Sequence, residues 1–246
     1  MLKIDTANNI TIFNSSKPSI GLYVRNTTNG DEHALVSQFI DYYCSVFKRN
    51  NKKTQLAVFI EPRIDSGFPD IVFASYKPSI IDNWSNEREK LDIYDLKLLS
   101  YIFIVSGENC NQITERLGFP ENQVVKSLEK LLDSKLIVRR SGGWHTKQVN
   151  DVFSIKKLLA VEAKINAISS LVTQSYVNTR FASHSYALSN SARPHHGTIN
   201  AFSKYGIGLY CKGKRFIEYL EAKQHNLPTS YVSFQFNEWI GRALAN

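Results

Sequence analysis

The chain has little cysteine and no long apolar run. Cys44, Cys110 and Cys211 are odd in number and far apart among 246 residues, which argues against a disulfide framework and against a clustered zinc site. A reducing, cytoplasmic setting is the expectation that follows. No stretch approaches the roughly 18 uninterrupted apolar residues of a membrane span, so no membrane partner is expected. Met1-Leu2-Lys3-Ile4-Asp5 lacks the charged and apolar blocks of a secretory signal. There is no internal repeat and no low-complexity segment. Tyr205-Gly206-Ile207-Gly208 is too short for a nucleotide-binding fingerprint. Acidic residues are also in deficit, with 22 Asp and Glu against 30 Lys and Arg, a formal charge of +8. A basic balance tilts toward polyanionic partners, because Lys and Arg release counterions condensed on phosphate backbones.

What is present is ordinary for a globular chain, 43% hydrophobic and 21% charged. It reads in three blocks, residues 1–90, 91–150 and 151–246. In the first, Asp31-Glu32 opens a helix whose apolar positions are Leu35, Phe39, Ile40, Tyr43 and Phe47. Leu56–Ile60 and Ile71–Ala74 read as strands on either side of a turn with Gly67 and Pro69. In the third block Leu158–Lys164 reads as a strand and is followed by a helix with Ile168, Leu171, Val172 and Tyr176 on one side. Ser185–Leu188 and Ile207–Tyr210 read as short buried strands, and a helix over about Ser233–Leu244 closes the chain.

Two segments carry the chemistry, Phe68-Pro69-Asp70-Ile71-Val72 and Val161-Glu162-Ala163-Lys164-Ile165. Alternate side chains of a strand share a face, so Glu162 and Lys164 point together. If the Asp70 strand pairs nearby, two carboxylates and an amine converge at one end of a sheet. That arrangement is costly to bury without a ligand. Hard oxygen donors suit magnesium or manganese. The plainer alternative is a surface Asp in a turn beside an ordinary i, i+2 Glu/Lys pair.

Pro69-Asp70 and Glu162-Ala163-Lys164 together resemble the PD-(D/E)xK superfamily of restriction-endonuclease-like proteins. The resemblance covers Asp31 to about Tyr76 and Leu158 to about Tyr210. It implies an α/β fold, a restriction-endonuclease-like mixed sheet flanked by helices, and a metal-dependent DNA endonuclease. Asp70 and Glu162 are then expected to bind one or two magnesium (or manganese) ions, with a further ligand from the Ala163 carbonyl. Lys164 is expected to orient the attacking water, and Gln174, on the helix behind, to position a phosphate or water. For the acidic residue that family members carry before the Asp strand, Glu32 is the best-placed match and Glu61 a second. Cutting both strands of a duplex commonly takes two sites, which makes a homodimer consistent with the resemblance. The departure is that 92 positions separate Asp70 from Glu162.

The middle block fills that gap. Helix, short helix, turn, helix and hairpin is the order of a winged helix-turn-helix. The expected recognition helix, about Glu121–Asp133, offers Asn122, Gln123, Lys126 and Lys130 to DNA. The expected wing offers Arg139, Arg140 and Trp144. From Ile93 to Asn150 eight Lys and Arg meet six Asp and Glu, so this block is not strongly basic. Winged helices also recruit proteins. A non-cutting DNA-binding or regulatory protein on the same scaffold, or a partner-recruiting subunit, is therefore the alternative. His195-His196 reads as part of a polar loop, and Lys212-Gly213-Lys214-Arg215 as either a solvated turn or a cleft lining.

Overall fold

The computed structural model describes residues 4–5, 9–25, 30–82, 84–165 and 168–245. In chain order the elements are β1 (Ile4–Asp5), β2 (Ile10–Phe13), α1 (Asp31–Asn50), β3 (Gln55–Ile60), β4 (Ile71–Tyr76), α2 (Ile93–Val105), α3 (Cys110–Leu117) and α4 (Glu121–Asp133). They continue with β5 (Ile137–Arg140), β6 (Gly143–Thr146), α5 (Val149–Val152), β7 (Ile155–Lys164), α6 (Ile168–Asn178), β8 (His184–Ser189), α7 (His196–Lys204), β9 (Gly208–Lys212), β10 (Phe216–Leu220) and α8 (Tyr231–Ala245). Among the described residues no helix is long and apolar enough to cross a membrane. The chain divides into two compact units, Met1–Lys77 with Ile155–Thr229, and Pro78–Ser154 with Ser230–Asn246.

The first unit is an α/β layer structure built on an eight-stranded mixed sheet in the order β1-β2-β3-β4-β7-β8-β9-β10. β7 lies inside it, antiparallel to β4 and parallel to β8. A strand buried on both faces needs a near-continuous apolar run, which Leu158–Val161 supplies. Its odd residues Leu159, Val161 and Ala163 face α1, where Leu35, Phe39 and Ile40 pack with Val58, Ile71 and Phe73. Phe39 is fully buried, its ring against those of Phe73, Tyr210 and Phe216. The opposite face is covered by α6 and α7, through Leu171 and Phe202 on Ala187, Leu209 and Cys211.

The chain leaves this sheet after Tyr76 and returns at Ile155, and those two residues are cross-strand partners. The gap in sequence therefore closes in the ladder itself. A domain whose ends are neighbours can be inserted without disturbing the strands around it.

The second unit has α2, α3 and α4 followed by the β5–β6 hairpin, in which Ile137 pairs with Thr146 and Arg140 with Gly143. α2 starts at a capping box formed by Asp92 and Asp95, and α3 at one formed by Asn109 and Gln112. Gly118, left-handed at φ 63°, ends α3. The unit boundaries differ from the sequence blocks 1–90, 91–150 and 151–246, which place the last helix with the sheet. Residues 78–90 and α8 belong instead to the second unit, because polar groups of α8 find buried partners there. Arg88 and Glu238, 2% and 1% exposed, form an ion pair, with Nε donating to Oε2 at 3.0 Å. Arg242 donates to the Arg88 and Leu91 carbonyls at 2.9 and 2.7 Å, and Asn237 Oδ1 accepts from the Ser154 N–H at 2.9 Å.

Removing one member of such a pair strands the other. Arg88→Met is expected to cost roughly 3–5 kcal/mol, read as a lower urea midpoint. Replacing both Arg88 and Glu238 by apolar residues of similar size should recover much of that loss. A loss below about 1 kcal/mol for the single variant, the level of an exposed pair, would show that the ion pair is not what fastens α8.

Candidate functional site

The β4–β7 register pairs Ile71 with Val161 and Val72 with Ala160. Continued by one residue, it sets Asp70 opposite Glu162. The turn before Asp70 fixes this end of the sheet. Gly67 sits at φ 129°, a conformation open to glycine, and closes a bridge to Ile64. Glu61, the residue after β3, has φ 46°, which is uncommon for a residue with a side chain. Its backbone is held from both sides, its N–H donating to the Asp70 carbonyl at 3.0 Å and its carbonyl accepting from the Arg25 N–H at 3.1 Å.

The two carboxylates are held by different donors. Asp70 Oδ2 accepts from the Ala163 N–H at 2.7 Å. Glu162 Oε1 accepts from the Asn178 amide of α6 at 2.7 Å, in a setting where Glu162 is 4% exposed. Burial raises the Glu162 pKa, and the charge of Asp70 raises it further, while the Asn178 amide and Lys164 pull the other way. Burial likewise raises Asp70, opposed by the Ala163 N–H and Lys164 and reinforced by Glu61. Two buried like charges side by side favour the protonated forms.

Cations border the pair. Arg25 pairs with Glu61 through its Nε and lies 3.9 Å from Asp70 Oδ1. Its guanidinium also rests 5.4 Å from the centre of the Phe68 ring. Lys164 Nζ donates to Glu32 Oε2 at 3.1 Å. These groups surround an open cleft of about 410 Å³ lined by Arg25, Glu32, Glu61, Asp70, Lys164 and Ile165, among others.

The residues expected from sequence thus fall into two sets. Asp70, Glu162, Ala163 and Lys164 come together. Glu61 and Glu32 reach the same cleft, but as partners of Arg25 and Lys164. Ala163 contributes its N–H to Asp70. Gln174 is exposed on α6, and the amide that reaches Glu162 is Asn178, one turn further on and 3% exposed. Arg25 also went unread, because it stands in an irregular segment with no periodic signal. Asn178 had one, since i+4 from Gln174 is the same helix face.

Asp70 and Glu162 are an all-oxygen donor pair with excess negative charge, which fits a hard divalent ion. Among the described residues no group of three or more His, Cys, Asp or Glu is gathered to hold a metal ion.

In the second unit, Lys130 does not face outward freely. Its ammonium bridges Asp92 and the buried Asp95, each at 2.9 Å. The exposed side of α4 carries Asn122 and Lys126, with Gln123 half-buried, but also Glu121, Glu129 and Asp133. Val125 and Leu132 on that side are 39% and 44% exposed. In the hairpin Arg139 and Arg140 are exposed, and the Arg139 guanidinium lies 5.8 Å from the Trp144 ring centre. Comparison with protein-family models, curated proteins and solved structures finds no match to the chain.

The carboxylate pair has a consequence for stability. A carboxyl whose pKa is raised by folding stabilises the fold fully below its unfolded pKa, and that contribution is lost as pH rises through the folded one. Without metal, the wild-type urea midpoint should therefore fall relative to that of Glu162→Gln as pH rises from about 4 to about 9, spanning the ordinary carboxylate range and beyond. Parallel midpoints for the two proteins across that range would show that Glu162 ionises at no cost in the fold.

Proposed function

We propose that the chain is a magnesium- or manganese-dependent phosphodiesterase of the PD-(D/E)xK kind that hydrolyses the DNA backbone. In this reading the first unit is a restriction-endonuclease-like core and the second an inserted winged helix-turn-helix. One observation carries it. Two carboxylates 92 positions apart in sequence stand side by side across β4 and β7, both driven toward the neutral form, with Lys164 two residues beyond. A bound divalent ion would offset the charge of the pair and hold both carboxylates in the ionised form that burial disfavours.

Asp70 and Glu162 would hold the ion, which supplies Lewis acidity to a phosphoryl oxygen and makes water more acidic. The chain's own groups do the positioning. The Ala163 N–H fixes one Asp70 oxygen, and the Asn178 amide fixes one Glu162 oxygen. Each carboxylate keeps its second oxygen for the ligand. Lys164 exchanges Glu32 for a phosphate oxygen or the attacking water, and offsets charge building on the phosphate. Arg25 offsets the charge of Glu61 and adds positive charge beside Asp70.

The winged helix aids recognition of the substrate, with Arg139, Arg140 and Trp144 against phosphates and Asn122, Gln123 and Lys126 on α4. A second reading for this unit is recruitment of a protein partner. The exposed Val125 and Leu132 among acidic side chains favour it, since such a face repels phosphates.

Incubation of the protein with DNA and magnesium tests the site. Asp70→Ala and Lys164→Ala are expected to slow cleavage by roughly 10²–10⁴-fold, the scale of a lost acid–base group, with circular dichroism unchanged. Chelation of the metal should abolish cleavage in the wild type. Full-rate cleavage by both variants would remove Asp70 and Lys164 from the mechanism.

A further inference from the structure

From Ala163 to Ile217 the chain has no Asp or Glu, yet it has seven Lys and Arg. The asymmetry is larger between the units. The first holds 19 Lys and Arg against 10 Asp and Glu, a formal charge of +9, and the second 11 against 12, or −1. The whole positive balance of the protein therefore belongs to the sheet unit.

The topology directs part of that charge to one edge. β7, β8 and β9 run parallel, with Lys164 level with Ser189 and Ser189 level with Cys211. Their C-terminal ends share the sheet edge at which Asp70 and Glu162 stand. The segment after β8 carries Arg193, His195 and His196, all exposed, and the turn from β9 to β10 carries Lys212, Lys214 and Arg215. The two segments adjoin. A Cβ on Gly213 would lie 3.5 Å from the Ala192 side chain, and the Tyr219 hydroxyl donates to the Ala192 carbonyl at 2.8 Å. No ion pair to these Lys and Arg is present among the described residues. The first acid after the stretch, Glu218, is taken by the hydroxyls of Tyr186 and Tyr210 at 2.5 and 3.1 Å.

We propose that the loop after β8 and the β9–β10 turn form a track for the phosphodiester backbone of a nucleic acid, flanking the Asp70–Glu162 site. This rests on the phosphodiesterase reading for its reacting centre, but the track binds without metal. Its scale suits the ligand. Strands are about 4.8 Å apart, so β9 lies roughly 10 Å from β7, about the rise of three base steps along the axis of a duplex. The scissile phosphate sits at Asp70 and Glu162, and phosphates a few steps away sit on Arg193, Lys212, Lys214 and Arg215. Principal affinity then comes from the sheet unit, not from α4.

The test is binding of fluorescent DNA and RNA duplexes of one length, in EDTA, over a range of salt concentrations. Removing one phosphate-binding cation lowers the slope of log affinity against log salt by about 1. Lys212→Ala/Lys214→Ala/Arg215→Ala should lower that slope by about 2–3 and weaken binding at least tenfold. The double variant Lys52→Ala/Lys53→Ala, at the opposite edge where α1 leads into β3, should stay near the wild-type slope. Lys214→Arg should bind as the wild type does, which separates charge from damage to the turn. Equal losses in the turn and control variants would overturn the track in favour of diffuse attraction. Binding of neither duplex by the wild type would overturn it outright. Tight binding without cleavage in magnesium would sink the phosphodiesterase reading and leave the track standing.

Discussion

The pairing of β4 with β7 is the constraint on which the rest depends. It is an antiparallel ladder between strands that lie far apart in the chain, and it runs from Ile71–Val161 to Tyr76–Ile155. One end of that ladder absorbs an inserted unit. The other end brings Asp70 to Glu162. A slip of one residue would turn every side chain of β7 to the opposite face. Leu159, Val161 and Ala163 would then leave the α1 core, so apolar packing along the strand fixes the register that the charged end requires.

The two units handle buried charge in opposite ways. In the second, Arg88 meets Glu238, and Asp95 meets Lys130 and the Ser127 hydroxyl. Arg88, Glu238 and Asp95 each have an opposite charge against them, and Arg242 meets two backbone carbonyls. In the first, Asp70 and Glu162 are like charges whose nearest direct donors are a backbone N–H and an amide. Lys164 and Arg25 stand close by but spend their hydrogen bonds on Glu32 and Glu61. An unbalanced buried pair is expensive for a structure. On the phosphodiesterase reading, it is what would give the site its affinity for a cation.

The sequence made the regular elements legible where periodicity was strong. α1, α4, β3 and β7 follow from apolar spacing, and Gly118 and Pro120 mark the ends of their helices. β1, β2 and β10 were not read. β2 is four residues long, and the three middle residues of β10 are all exposed, so neither shows a clear apolar pattern. At the site, Glu162 and Lys164 were singled out because a strand forces i and i+2 to share a face, and Asp70 through the resemblance of Pro69-Asp70. Asn178 was hinted at only by its place one turn beyond Gln174, and Arg25 was not legible, since its role comes from tertiary contact. The same cause hid the fate of Lys130, whose two acidic partners lie on another helix, and the placement of α8, whose buried Glu238 and Arg242 look like surface residues in an amphipathic pattern.

The attachment of α8 to the inserted unit also sets an order in time. Translation completes every strand of the large sheet by Leu220, while the unit begun at Pro78 still lacks its last helix. Until α8 emerges, Arg88 lacks the Glu238 carboxylate and the side of α2 that packs on α8 has no cover. The sheet, begun first, can be finished on the ribosome before the insertion within it. The inserted unit, although its greater part is made earlier, is the portion of the protein that a missing C-terminal segment would leave incomplete.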